Sequence, residues 1–250
     1  MARNYGGAPV APSIGGRYTP AMPDLPLPPR FDLQDVELKL SARARRMTLR
    51  VHGDGRICLT VPRRTAKRAA AEFVASQSGW IAQRLAALPP AVPLADGATV
   101  PFRGAPHRIR HDPARRIGVT AEGGELVVGG GAEFVGRRLR DFMIREARRE
   151  LWARAAPKAA QIGCRVAGLS IKDTRSRWGS CSRKGRLNFS WRLIMAPEAV
   201  LDYLVAHEVA HLREHNHGPD FWALCASLCA DSEGSRAWLK RHGDALMRVG

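Results

Sequence analysis

The sequence predicts an α+β fold: a mostly β N-terminal subdomain with a packed helix, followed by a second domain with a helix that carries the functional site. Three observations predict it. Apolar residues alternate with polar ones in three short stretches between Val36 and Val61, the period of strands with one buried face. Apolar stripes at helical spacing follow near 65–88, across 133–162 and beyond 196. Four histidines crowd the end of one of those helices, in "HEVAHLREHNHGPDFW" at 207–222.

Each element follows from its own pattern. Residues 1–33 carry Pro9, Pro12, Pro20, Pro23, Pro26, Pro28 and Pro29 with several glycines and read as a disordered tail. The first strand uses Val36, Leu38 and Leu40, the second Met47, Leu49 and Val51, and the third Ile57, Leu59 and Val61. "HGDG" (52–55) joins the last two as a hairpin, and Pro62 ends the third. A helix is expected from an N-cap at Thr65, with Ala70, Phe73, Val74, Trp80, Ile81, Leu85 and Leu88 on its buried stripe, stopped by Pro89 and Pro90. "VPFRG", "HRIRH", "IGVTA" and "ELVVGG" read as further strands, their pairing order left open. A long helix over about 133–162 buries Val135, Leu139, Phe142, Ala147 and Leu151. Its arginines, among them Arg137, Arg138, Arg140, Arg145, Arg148, Arg149 and Arg154, are either a phosphate-binding face or a solvated surface. "LSIKDT" and "RLNFSWRLIM" read as strands around the loop "RSRWGSCSRKG". "APEAVLDYLVAHEVAHLREHNH" reads as a helix with Pro197 in its first turn; a second starts at Pro219, and a last one runs through "SRAWLKRHGDALM". The domains expected are 1–33 (tail), 34–131 (β-rich) and 132–250 (the site-bearing domain).

Composition narrows the classes. The chain has 250 residues, 45% apolar and 25% charged, and the net charge is +17. That charge either favours polyanionic partners, meaning nucleic acid or an anionic membrane surface, or is scattered over solvated arginines, and it specifies no fold. Five cysteines without a CxxC pair argue against a disulfide framework and for a reducing, cytoplasmic setting. Cys225 and Cys229, four apart, are either metal ligands or buried inert thiols. The first 30 residues lack the apolar core of a secretory signal, and no run approaches a membrane span.

His207 and His211 stand at i and i+4, where two imidazoles on a helix converge on one ion; Glu208 sits between them in the pattern H-E-x-x-H. The third ligand is His215 or His217. On a continuous helix His215 climbs another ~6 Å along the axis. Donor atoms around a tetrahedral zinc lie only about 3–3.5 Å apart, so His215 is too far along. Asn216 and Gly218 suit a left-handed helix end, and a chain turning back there swings His217 over the ion. The expected ligands of Zn2+ are therefore His207, His211 and His217, with a fourth position open as in catalytic sites. Glu208 is then the general base for amide hydrolysis by a zinc-activated water. His215 is either a substrate-facing group or a plain exposed histidine.

"RWGSCSRKGRLNFSWRLIMAPEAVLDYLVAHEVAHLREHNHGPDFWAL" resembles the YgjP-like metallopeptidases, relatives of the SprT and WLM zincins. The shared pattern H-E-x-x-H-x5-H falls on His207, Glu208, His211 and His217. R-W-G-S-C falls on Arg177 to Cys181; Leu187, Asn188, Arg192, Leu193, Pro197, Asp202, Tyr203, Asn216, Phe221 and Trp222 match the rest. The resemblance covers about residues 36–247, and the Pro-rich tail departs from it. It implies a minimal zincin-like metallopeptidase domain acting on a protein or peptide substrate. Its relatives include proteases of DNA-crosslinked proteins, a substrate that the charge agrees with. Arg177, Trp178 and Ser180 either contact substrate, or Trp178 is core and Gly179 a turn. Two rivals remain: a metal-dependent ribonuclease with H-x3-H-x5-H, which would lack Glu208, and a nucleic-acid-binding protein with a vestigial zinc site. Neither oligomeric state nor natural substrate follows from the sequence.

Overall fold

The computed structural model describes residues 30–174 and 177–250. The expected tail therefore lies outside the described residues up to position 29, and the "RSRWGSCSRKG" loop is described without its first two residues. The content is mixed, with six helices and three sheets among the described residues, as an α+β fold requires. The chain divides into two compact units, one ending at Pro89 and the other spanning Pro90–Gly250.

In the first unit, strands β1 (Glu37–Ser41), β2 (Thr48–Val51) and β3 (Ile57–Pro62) form a sheet of order β1-β3-β2. β1 runs parallel to β3 and β2 antiparallel to it. Leu49, Val51, Ile57, Leu59 and Val61 point into a core shared with Ala70, Val74 and Ile81. The expected alternation is right for β2 and β3. It overreaches at β1, where Leu38 and Leu40 remain 44% and 61% exposed on an outer strand. The single helix expected over 65–88 is two, α1 (Lys67–Ser76) and α2 (Ser78–Ala86), broken at the buried Gln77. Thr65 is not the cap: Ala66 holds that place with no side-chain hydrogen bond. Order also begins before residue 34, since Phe31 and Leu33 pack on this core and Phe31 N donates to Ser78 Oγ at 3.1 Å.

The second unit contains the other two sheets. β4 (Thr99–Phe102), β5 (Ala105–Asp112), β6 (Gly118–Glu122) and β7 (Glu125–Gly129) pair in the order β4-β5-β7-β6, with β5 and β7 parallel. Their buried residues Val100, Phe102, Ile109, Leu126 and Val128 share one core with the long helix α3 (Val135–Gln161). These strands thus belong with the helices that follow, and the division falls at Pro89 and Pro90, not at 131. The β4–β5 turn places Arg103 and Gly104 at φ 51° and 82°, as a two-residue hairpin turn demands. Its tip docks on the chain ahead of the site helix. Arg103 N donates to Ile194 O at 2.8 Å, Gly104 N to Met195 O at 3.1 Å, and a Cβ on Gly104 would lie 2.9 Å from Pro197 Cα.

The third sheet, β8 (Gly168–Lys172), β9 (Gly179–Cys181) and β10 (Arg186–Ser190), has β10 at its centre and β9 at an edge. β9 lies inside the stretch expected as a loop. "WRLIM", expected to continue a strand, is a 3-10 turn over Trp191–Met195 with all five side chains buried. Ser190 caps it by accepting from Arg192 N, and the Arg192 guanidinium reaches Asp173, Val249 O and Gly250 O. A strand would have turned alternate residues away from that network. Helices α4 (Glu198–Ala210), α5 (Pro219–Ser227) and α6 (Ser232–Met247) complete the unit. No helix among the described residues is long and apolar enough to cross a membrane.

Candidate metal centre

α4 is apolar nearly all round, and ten of its thirteen residues are buried, which makes it a core helix rather than a surface one. It packs against α3, α5, α6 and β9. His207 and Glu208 are therefore carried into the interior with no exposed surface, and His211 retains 2%. The helix ends at Ala210, five residues before the rung that His215 would occupy on a continuous helix. Its last carbonyls are taken at short range: Leu212 N donates to Val209 O at 2.9 Å, and Ala210 O accepts from Arg213 N and Glu214 N at 3.1 and 2.9 Å. The chain then folds back through 214–218. It does so without the left-handed residues expected at Asn216 and Gly218; Gly218 is extended, with φ −80° and ψ −177°.

The reversal brings His217 against the helical pair. His217 Nε2 lies 3.1 Å from His211 Nε2 and 3.2 Å from His207 Nε2. A tetrahedral zinc with Zn–N bonds of 2.0–2.1 Å sets its nitrogens about 3.3 Å apart, so the spacing fits such an ion. The tautomers fit too. His211 Nδ1 donates to Glu214 O at 2.9 Å, which leaves its Nε2 lone pair facing inward. A proton on His217 Nε2 can serve one of its two neighbours only, whereas a cation at the centre serves all three. Burial, reinforced by the neighbouring imidazoles, holds His207 down at about 2, and burial holds His211 at about 4, so both imidazoles are neutral at pH 7, the form that can bind a metal. Among the described residues these three form the group of donors suited to a metal ion; Cys225 and Cys229 are not part of it. His215 is exposed and outside it.

Glu208 has both carboxylate oxygens buried without a hydrogen-bond partner among the described residues. Burial raises its pKa to about 8, opposed by the charge of Arg177. An unpartnered buried carboxyl is costly unless it is neutral or meets a cation, and an ion held by the three adjacent histidines would be such a cation. Gly179 opens β9 paired with Phe189, so it is a strand residue and not a turn. It abuts the carboxylate: a Cβ there would fall 2.5 Å from Glu208 Oε1.

The remaining expected contacts separate. Trp178 is 5% exposed and packed in the core against Gly243 of α6. Ser180 accepts from Asn188 Nδ2 at 3.3 Å. Arg177 is exposed and close enough to act on Glu208 electrostatically. Three supports were missed. The Phe221 ring sits 4.9, 4.5 and 4.6 Å from the rings of His207, His211 and His217, filling the space beside all three. Trp222 Nε1 donates to His217 O at 3.1 Å and holds the returning segment. The Arg236 guanidinium stacks on Trp222 at 5.2 Å. Phe221 and Trp222 are visible as an aromatic pair soon after the histidines; Arg236, on a different helix, carries no signal of its own.

A family model described as the YgjP-like metallopeptidase domain matches residues 45–242. No curated protein and no solved structure matches the chain.

Proposed function

Because the chain belongs to the YgjP-like metallopeptidase family, we propose that it is a zinc-dependent peptidase with His207, His211 and His217 as ligands and Glu208 as general base. The observation that carries this reading is the convergence of three imidazole Nε2 atoms beside a buried, unpartnered carboxylate. A zinc ion held there supplies Lewis acidity, lowering the pKa of a water and polarising the scissile carbonyl. Glu208 takes the proton of the attacking water and returns it to the leaving amide nitrogen. With no hydrogen bond from the described residues competing for its oxygens, the carboxylate is free for that exchange. Gly179 keeps the β9 backbone against that carboxylate without a side chain in the way. β9 is an edge strand packed on α4, so an extended peptide pairing with it would run past the site. Exposed Arg177 flanks the same approach. The substrates we favour are DNA-associated proteins, in keeping with the +17 charge, and five unpaired thiols suit the cytoplasm.

The test compares wild type with Glu208→Gln. Zinc is expected to remain bound in both, and cleavage of casein and of DNA-bound protein is expected only in the wild type. Cleavage of structured RNA that survives in the variant would overturn the peptidase assignment.

A further inference from the structure

We propose that the N-terminal unit docks a nucleic-acid duplex, through its phosphate backbone, at one end of its three-stranded sheet. The topology makes that end basic. β1 runs parallel to β3, with Ser41 opposite Pro62, and β2 starts from the same end, with Thr48 opposite Thr60. The 42–47 connection must therefore cross about 10 Å from one outer strand to the other, over the point where the chain leaves β3. The crossing loop carries Arg43, Arg45 and Arg46; the departing turn carries Arg63 and Arg64, and Lys67 opens α1 just beyond. All six are exposed, and none makes an ion pair among the described residues.

The acidic residues of the sheet and its approaches lie at the other end, while Glu72, on α1, is paired with Arg68. Asp32, Asp35 and Glu37 precede or open β1, and Asp54 tips the β2–β3 hairpin, where Arg56 bonds both Asp54 and Glu37. The unit is thus polarised along its strands. The arginine stripe of α3, the other basic candidate, is partly spent within the molecule. Arg149 and Arg154 pair with Glu146 and Glu150, and Arg138 donates to Gly131 O.

The residue types favour a duplex. Five of the six are arginines, whose planar forks match phosphate oxygens in pairs. No Phe, Tyr or Trp stands between residues 41 and 68 to stack the bases of a single strand. A membrane-binding surface needs a cluster of apolar or aromatic groups, and among the described residues this end exposes Leu40, with Leu38 two residues further along β1, and no large aromatic side chain. The site does not depend on the metal centre, and its test involves no turnover.

The full-length protein would be titrated, by fluorescence anisotropy across a salt series, into a labelled 20-base-pair DNA duplex, the matching single strand, and phosphatidylserine vesicles. The quadruple variant Arg45→Gln, Arg46→Gln, Arg63→Gln, Arg64→Gln is expected to bind the duplex at least tenfold more weakly, with the slope of log affinity against log salt falling by about two or more. The control Arg137→Gln, Arg140→Gln, Arg145→Gln, Arg148→Gln removes the same charge from α3 and is expected to change affinity less than threefold. Both are surface substitutions, and an unchanged melting temperature establishes that each is folded. Equal losses in the two variants, no loss in the first, or tighter binding to the single strand or to vesicles than to the duplex would each overturn the proposal.

Discussion

Gly179 leaves no room for a methyl group: its Cβ would meet Glu208 Oε1 at 2.5 Å and Cγ at 2.8 Å. Gly179→Ala is therefore expected to displace the carboxylate and lower peptidase turnover by about a hundredfold. Zinc content measured by atomic absorption should stay at the wild-type level, since no ligand is touched. The histidines give a second prediction. His217→Ala is expected to lose most bound zinc and His215→Ala to keep it; the reverse result would disprove the ligand set. The grouping of His207, Glu208 and His211 was legible in the sequence because helical spacing alone brings them together. His217 was legible through the turn-forming Asn216 and Gly218, although the turn is made with ordinary backbone angles. The role of Gly179 was not legible, because the approach of an edge strand to a helix is a property of the assembled fold.

At the level of elements, α3 and the chain ahead of α4 carry buried charge. The Glu150 carboxyl is held below the usual carboxylate range chiefly by Arg154, with Arg103 and Arg149 contributing. A folded pKa below the unfolded one stabilises the protein above about pH 4.5, and the gain disappears as pH falls through the folded value. Glu150→Gln is thus expected to lower stability at pH 7 while flattening its decline between pH 5 and pH 3, as measured by denaturant titration. Arg192 presents a larger effect. It is 1% exposed, its guanidinium bonds Asp173 and the carbonyls of Val249 and Gly250, and the Trp191 indole donates to Asp173 as well. Arg192→Ala removes the donor to the Val249 and Gly250 carbonyls and one of the partners of Asp173, and is expected to cost about 3–5 kcal/mol of folding stability. This network explains why "WRLIM" misled: the apolar run suits a buried strand, and only contacts with residues 173 and 249–250 decide for the 3-10 turn.

For the whole molecule, local pattern identified the α+β class and nearly every strand and helix. It failed where tertiary packing decides: the exposed apolar face of β1, the break at Gln77, and the affiliation of β4–β7 with α3. Prolines at 89 and 90 mark the boundary between the two units, but they read equally well as a mere helix stop. Because the ion would bind only the folded chain, removing it should be felt globally. At a zinc concentration a thousandfold above its dissociation constant the gain is about 4 kcal/mol. Treatment with a chelator is accordingly expected to lower the melting temperature by roughly 10 °C, and His207→Ala should abolish that difference. One consequence concerns time rather than affinity. His207 lies within a core helix and His211 caps its end, while His217 rides an exposed segment held by hydrogen bonds from His211 Nδ1 to Glu214 O, from the Trp222 indole to His217 O and from Trp222 N to Gly218 O. Escape of a bound ion is then expected to follow the unlatching of that segment, so that residence time would depend on its hydrogen bonds as well as on the ligands.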